Sequence, residues 1–367
     1  MRVVATKDFD PIKVADFYEK TSLPGLVELQ FHRPKGFLAP YFTQSDDVTS
    51  VLLVNSNNEI IATVTVYFRE ALIEGETQTV GFASDLRVAP TRQAVFKWAT
   101  YFIPLLIQER EKRNCKYIFS MIAEGQRQAL NAFIRPRSAR RKLPRYHLYR
   151  KLDLVSINGR YPWAPAPLEG AYIRQLTPED RPVFSDYVAK KQLSRPMSFP
   201  FEVENLIQRI PHFDDGQFLG AFDVHGDPIG LLSLWNPDLV QHVVPVHWSK
   251  RATSIRGIFK SLSYLGLTKP LVTPTGRFSF HFANHIYADN PDVHYCLLRR
   301  AFQEIPKQDF ILYPHFEGDL ASLPPQGHFT TSTKFGLYLI MMPEDPIPDF
   351  LRPRMLAPPP DFELTYL

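Results

Sequence analysis

The sequence has few cysteines and no long apolar run, and these two absences exclude several classes of protein. Its two cysteines, Cys115 and Cys296, lie far apart in a chain of 367 residues, so we expect neither a disulfide framework nor a cysteine-based zinc site. The longest nearly apolar stretch, Trp98–Ile107, has about half of the ~20 residues that cross a bilayer, and it contains a proline. We therefore expect no membrane span.

The short motifs of several enzyme classes are also missing. The sequence contains no GxSxG, GxxxxGK[ST] or GxGxxG motif, which argues against a serine hydrolase, a P-loop kinase and a dinucleotide-binding enzyme. Nine of the eleven histidines fall between His212 and His328, but no HExxH or close carboxylate pattern accompanies them, so no metal site is expected. The first residues lack the apolar core of a secretory signal, and we expect a cytoplasmic protein.

The positive charge is concentrated in one segment. Formal net charge is +4, but residues 135–151 contain eight basic residues and no acid, so the rest of the chain carries −4. This segment is interpreted either as a solvated loop or as a patch that contacts phosphate or RNA, and Arg140, Arg141 and Lys142 lie at its centre. Tyr146 and Tyr149 would offer stacking surfaces to RNA.

Proline-rich segments divide the chain. Residues 156–170 fit a semi-rigid connector, which predicts an N-terminal domain over residues 1–155 and a C-terminal domain over 171–342. Residues 343–367 are too rich in proline for a helix interior or a central strand. We expect this tail to lie over a domain surface.

Each half shows the same order of hairpin, strand, helix and strand. In the first half, the strand pattern that ends at Val88 is followed by Thr91, a helix cap, and by apolar positions at helical spacing up to about Arg113. In the second half, Asn290 and Pro291 supply a cap and a first helical residue after another strand. The pattern predicts an α+β protein with two tandem domains, each with a mixed, mostly antiparallel sheet flanked by helices.

Two stretches of the first half, V88-A-P-T-R-Q-A-V-F-K97 and Q126-R-Q-A-L-N-A-F133, resemble the GNAT superfamily of N-acetyltransferases. The resemblance covers roughly residues 2–154, and in the second half it rests on the order of elements alone. It implies an acyl-CoA-dependent N-acyltransferase that uses acetyl-CoA or another acyl-CoA and acts on a small-molecule or peptide amine. A helix N-terminus attracts a pyrophosphate through its unpaired amides and its dipole.

The resemblance also implies site residues. Asp85, on the strand before the loop, would be the general base toward the amine, with an ion pair to Arg87 or an exposed edge position as the alternative interpretations. The cofactor would be held by residues of the strand end and the helix start: Leu86, Val88, Arg92, Gln93, Ala94 and Val95.

The sequence departs from the family pattern at positions that matter. Val95 and Lys97 stand where the phosphate loop has small residues, and Phe133 stands where the family has a tyrosine that protonates the leaving thiolate. One alternative is therefore a non-catalytic tandem-domain binding protein with a degenerate cofactor loop. The other, favoured by the basic segment, is an aminoacyl-tRNA-dependent aminoacyltransferase.

Overall fold

A computed structural model describes residues 1–126, 134, 144–166, 171–272, 276–351 and 358–363. Within these residues the protein is a mixed α+β structure built on one large sheet, with helices on its faces. The helix predicted at 126–133 lies outside the described residues from 127 onward, as does the basic segment up to residue 143. No helix in the described ranges is long and apolar enough to cross a membrane.

The strands are numbered in chain order: β1 Arg2–Ala5, β2 Val27–His32, β3 Asp47–Val54, β4 Ile60–Ile73, β5 Glu76–Val88, β6 Tyr117–Ala123, β7 Arg145–Arg160, β8 Tyr172–Gln175, β9 Met197–Ser198, β10 Phe218–Phe222, β11 Pro228–Trp235, β12 His242–Trp248, β13 Phe280–Ala288, β14 Phe310–Phe316 and β15 His328–Met341. The helices are α1 Pro11–Lys20, α2 Ala39–Phe42, α3 Arg92–Lys112, α4 Arg181–Gln192, α5 Val203–Arg209, α6 Lys250–Tyr264 and α7 Pro291–Glu304.

Local sequence signals explain where the two central helices begin. The Thr91 side chain accepts a hydrogen bond from the Ala94 amide at the start of α3, and Asn290 accepts one from the Val293 amide at the start of α7. Both caps are those that the sequence predicts. Helix α3 continues through Pro104 to Lys112, so this proline does not end the helix.

The large sheet is symmetric about its centre. Its order is β1-β3-β4-β5-β6-β15-β7-β14-β13-β11-β10-β8, with β9 paired to β4 outside this path. Read from either end, three strands lead to a parallel pair, β5 with β6 in one half and β13 with β14 in the other. The last long strand of each half pairs with a strand of the other half. β15 from the second half pairs with β6, and β7 from the first half pairs with β14. The repeat of the two halves thus appears as one continuous sheet.

This exchange ties the two halves together more closely than a connector would. Strand β7 runs to Arg160, so the first residues of the predicted connector are strand, and β7 pairs with β15 along most of its length. A separate two-stranded sheet also joins β2 of the first half to β12 of the second. The boundaries at 155 and 171 stay a prediction, because each half completes its sheet with a strand of the other.

The sequence predicts a tail that lies on the surface, but parts of it are buried. Phe350 and Phe362 are 4% and 5% exposed, and both belong to the large central hydrophobic cluster. Asp361 and Glu363 are also buried. Proline prevents this segment from joining a helix or central strand, yet its side chains between prolines are free to fill the core.

Candidate functional site

A gap opens in the sheet where the two strands of the first parallel pair separate. Only Val80–Phe82 of β5 pair with β6, where their partners are Tyr117–Phe119. Beyond these residues β5 continues to Val88 and β6 to Ala123 without pairing to each other. On its other edge β6 remains paired with β15, and β5 remains paired with β4. We call the gap between residues 84–88 and 120–123 the first cleft.

A β-bulge shapes the β5 wall of the first cleft. Ser84 pairs with Thr65 and Arg87 with Thr63, so two residues of β5 stand opposite one residue of β4. Asp85, the first of the two, has a left-handed backbone with φ of +50°. The side chains of Asp85 and Arg87 form an ion pair beside this bulge.

A cavity of about 460 Å³ extends from the first cleft to the space beneath α3. One face of this helix lines it from the first turn to the last, while the valines of β3 and β4 form the opposite wall. The helix residues that line the cavity follow helical spacing: Val95, Trp98, Ala99, Phe102, Ile103, Leu105, Leu106 and Glu109. An apolar helix face normally packs against the sheet, so this empty space indicates room for an apolar ligand.

The far end of the cavity is polar. Glu109 accepts hydrogen bonds from the Thr49 hydroxyl at 2.7 Å and from Arg113 at 2.5 Å. Arg113 in turn forms a two-bond ion pair with Asp47 at 2.6 Å for both bonds. These contacts join the C-terminal end of α3 to β3. The polar cluster therefore forms the end wall of the apolar part of the cavity.

On the opposite face of the sheet, Asp85 is the centre of a closed network. Arg33 donates to its carboxylate at 2.5 Å, Tyr18 donates at 2.9 and 3.0 Å, and Tyr41 donates to the same group. Arg87 lies 3.4 Å away on the other oxygen. Side-chain exposure of Asp85 is 13%, so the charges face little water. The predicted alternative of an ion pair to Arg87 is confirmed, with Arg33 as the closer partner.

This network changes the acidity of its members. Burial alone would raise the pKa of Asp85, but Arg33 and Arg87 and the Tyr41 hydrogen bond hold that pKa well below its usual range. Burial raises the pKa of Tyr18 and of Tyr41, so both phenols stay protonated as donors. A carboxylate with such a low pKa is a weak proton acceptor, which argues against Asp85 as general base.

The second half completes this network. Arg33 donates to the Gln241 side chain at 2.9 Å, and Gln241, next to β12, also lines the cavity. The Arg33 guanidinium lies over the rings of Tyr18 and Tyr41, 4.3 and 5.0 Å from their centroids. Sequence reasoning missed Tyr18, Arg33 and Tyr41, because contacts between residues that lie more than 40 positions from Asp85 leave no local signal in the sequence.

The structure separates the residues expected to hold a cofactor. Leu86 and Val95 line the cavity, as does Asp85, the residue expected as general base, whereas Val88 packs against a small hydrophobic cluster that includes Ala94. Gln93 is exposed at the start of α3, as is Arg92. The Ala94 amide is bonded to the Thr91 hydroxyl at 3.3 Å, so it is not open to a phosphate.

The basic residues Arg140, Arg141 and Lys142 lie outside the described residues, so phosphate or RNA contact there stays a prediction. Of the same segment, Arg145 to Lys151 belong to β7. Tyr149 is buried in the central core and is not available for stacking on a nucleic acid. In the described part of the chain no three His, Cys, Asp or Glu side chains form a group that could hold a metal ion.

This architecture defines the GNAT fold: a mostly antiparallel sheet that opens between one parallel pair, with a helix between the paired strands. No family model and no curated protein matches the sequence. Among solved structures, the chain resembles N-myristoyltransferase of Saccharomyces cerevisiae with bound myristoyl-CoA, at 10% identity and a TM-score of 0.54, over 94% of this chain and 80% of that one.

A second structure of the yeast enzyme, with myristoyl-CoA and inhibitors, gives a TM-score of 0.55 at 10% identity over 96% and 84% of the two chains. A GCN5-related N-acetyltransferase of Sphaerobacter thermophilus matches at 14% identity and a TM-score of 0.48, over 80% and 81%. The predicted α+β fold class is confirmed, and the fold is the GNAT fold that the sequence resemblance implies. At these identities the likeness establishes the fold.

Proposed function

We propose that the protein is an acyl-CoA-dependent N-acyltransferase whose reaction takes place in the first cleft. The observation that carries this proposal is the open cleft between β5 and β6, which belongs to a cavity of about 460 Å³ with mostly apolar walls beneath α3. Such a cleft offers polar backbone at its mouth and apolar walls inside, which suits a thioester with an acyl chain.

The β5 edge suits the pantetheine arm of coenzyme A. Among the described strands, pairing with β6 ends at Phe82, so the backbone of residues 84–88 faces the cleft on that side. Pantetheine contains amide groups, which can pair with an open strand edge as another strand would. Leu86 and Val88 are the residues we propose for this contact, and Arg92 and Gln93 would face the phosphates at the start of α3.

The space beneath α3 suits a long acyl chain. From Val95 to Glu109 the helix is about 21 Å long at 1.5 Å per residue. Because ~1.5 Å bonds run in a zigzag, an extended chain advances roughly 1.25 Å per carbon, so that length holds about 16 carbons. The fold is also that of enzymes solved with myristoyl-CoA. We therefore assign a long-chain acyl-CoA as donor, with Thr49 and Glu109 at the end of the chain.

In the transfer step the acceptor amine attacks the thioester carbonyl carbon. A carbon–nitrogen bond forms, the carbon–sulfur bond breaks, and the thiolate of coenzyme A takes up the proton that the amine loses. Asp85 acts in this scheme as a positioning residue, because its carboxylate fixes Tyr18, Arg33 and Tyr41 on the acceptor side of the sheet.

The test is calorimetric titration with coenzyme A, acetyl-CoA, octanoyl-CoA and myristoyl-CoA. Affinity should rise with chain length, because each buried methylene contributes about 0.8 kcal/mol. Binding of all four with equal affinity would leave acyl-CoA use intact but place the acyl chain outside the cavity. If none of the four binds, the proposed function is wrong, and the two alternatives drawn from the sequence remain: a non-catalytic binding protein and an aminoacyl-tRNA-dependent aminoacyltransferase.

A further inference from the structure

The second half contains a cleft equivalent to the first. Only Phe280–Phe282 of β13 pair with β14, where their partners are Phe310–Leu312. Beyond these residues β13 continues to Ala288. His285 follows the last paired residue by three positions, has φ of +49°, and lies where the register between β11 and β13 shifts. We call the gap between residues 283–288 and 313–316 the second cleft.

The C-terminal segment of the chain lies in the second cleft. What remains open there is about 80 Å³, and residues 359–362 form its wall together with His285 of β13 and Phe316 of β14. Helix α7 also packs closely on the sheet, since a Cβ on Gly230 would lie 2.6 Å from Val293 Cγ1. The second cleft is therefore filled, whereas its counterpart is open.

Asp361 is held by groups of the second half. The hydroxyl of Tyr287 donates to its carboxylate, Gln192 donates at 3.3 Å, and Arg195 donates at 3.4 Å. The Asp361 amide donates to the Met197 carbonyl at 2.7 Å. A buried carboxylate needs such partners, because removing its charge from water is costly.

The next two residues extend these contacts across the molecule. Phe362 packs edge-on against Phe316, with ring centroids 6.3 Å apart. Glu363 lies 3.1 Å from Nε2 of His285 in the second half and 3.8 Å from Arg69 on β4 of the first half. Three consecutive side chains of the tail thus each fit a different part of the cleft wall.

We infer that the second cleft is a peptide-binding site for an aromatic residue flanked by two carboxylates, and that the tail segment Pro358–Glu363 occupies it in cis. Two observations support an occupant rather than ordinary core. The segment lies at the strand ends where the other half has an open ligand cleft. It also buries two carboxylates, a residue type that is rarely buried unless paired.

The occupied cleft also bears on the first half. Arg69, the first-half partner of Glu363, is paired with Val80, the first residue of β5 in the parallel pair with β6. Release of the tail would therefore remove a contact from the strands that form the first cleft. Any consequence for acyl transfer rests on the proposed function, whereas peptide binding does not.

The test weakens the tail in the full chain and supplies it again in trans. The variant combines Asp361→Asn with Phe362→Ala, and Glu344→Gln, at an exposed position of the same tail, is the control. Loss of a charged hydrogen-bonded contact should speed amide exchange in β13 by roughly tenfold. A synthetic peptide of residues 358–367 should restore slow exchange, and the same peptide with Asn and Gln at positions 361 and 363 should not.

Unchanged exchange in β13 of the variant, or no effect of the peptide at millimolar concentration, would overturn the inference. If the double variant does not fold, the isosteric Asp361→Asn variant provides the same comparison. Exchange that rises equally in β3 and β13 would show general destabilisation and would also contradict a local site. These outcomes are independent of acyl-CoA titration, so failure of this inference leaves the proposed function standing.

Discussion

Asp85 and His285 occupy the same position in the two halves of the sheet. Each follows the last residue of a parallel pair by three positions, Phe82 in one case and Phe282 in the other, and each has a left-handed backbone. Their surroundings differ: Asp85 lies at an open cleft, and His285 contacts the tail through Glu363. A left-handed residue at a β-bulge thus lies beside an open cleft in one half and beside a filled cleft in the other.

The Asp85 network should make stability depend on acid. The pKa of Asp85 in the folded protein is held low, whereas an aspartate in the unfolded chain titrates near ~3.9. The ionised Asp85 carboxylate therefore stabilises the fold fully above pH ~3.9. This contribution is lost as the pH falls toward the folded pKa. Asp85→Asn should destabilise by about 3 to 5 kcal/mol at pH 7, since it leaves Arg33 and Arg87 without a counter-charge.

Urea unfolding at pH 7 and at pH 3 measures this effect. The variant should lose less stability than the wild type between these two pH values. Lys20 and Asp16 form an exposed pair, so Asp16→Asn is a suitable control with little effect at either pH. An Asp85→Asn variant as stable as the wild type at pH 7 would contradict the closed network.

The local signals in the sequence predict much of this fold. Thr91 and Asn290 mark both helix starts, and alternating patterns mark the strands up to Val88 and Ala288. The exchange of β7 and β15 could not be predicted, because pairing between distant strands depends on contacts that a local pattern does not contain. The same holds for the site: Asp85 could be singled out by its position, but its partners come from α1, α2 and the loop after β2.

Filling the cavity should separate acyl-chain binding from coenzyme A binding. Ala99 lines the cavity midway along α3, and Thr100, the next residue, is exposed. Ala99→Phe should weaken myristoyl-CoA binding at least tenfold, or about 1.4 kcal/mol, and leave coenzyme A binding unchanged. Thr100→Phe adds a similar bulk on the outer face and should change neither. Titration calorimetry measures both, and equal loss for both ligands would place the acyl chain elsewhere.

The close packing of α7 should make Gly230 intolerant of a side chain. A Cβ there would lie 2.6 Å from Val293 Cγ1 and 2.9 Å from Leu297 Cδ1. Gly230→Ala should therefore cost about 1 to 3 kcal/mol through overpacking. Gly257, where a Cβ would meet no atom within 4 Å, is the control: Gly257→Ala in α6 should stabilise slightly. Thermal unfolding compares the two, and a neutral Gly230→Ala would show that α7 can move away from the sheet.

Coenzyme A should bind the first half alone. Arg92→Glu places a negative charge at the start of α3 and should weaken coenzyme A binding by at least tenfold, about 1.4 kcal/mol. Asp289→Ala should not create a second site, because Asp289 is already paired with Lys191 at 2.8 Å and the tail fills the cleft. Calorimetry reports both affinity and stoichiometry. Unchanged affinity in Arg92→Glu, or a second site in Asp289→Ala, would show that the cofactor uses the other half.

The buried His294 should make stability depend on pH in a second range, which lies above the range in which Asp85 titrates. Burial lowers the pKa of His294 to about 4, with Asp319 opposing this shift and His315 adding to it. Within the described residues its Nε2 atom has no hydrogen-bond partner, and its ring lies edge-on to Tyr313. An unfolded histidine titrates near ~6.5, so stability should be complete above that pH and fall as the pH drops toward 4.

Replacing His294 with phenylalanine keeps an aromatic ring against Tyr313 and removes the titration. The loss of stability between pH 6.5 and 4 should then be smaller by about 3 kcal/mol than in the wild type, while the Asp85 window below pH 4 remains. Burial also lowers the pKa of His281 and of His328, so part of the decline should persist in the variant. Urea unfolding at half-unit steps of pH would resolve the two windows. A His294→Phe variant that keeps the full decline between pH 6.5 and 4 would assign that decline to another group.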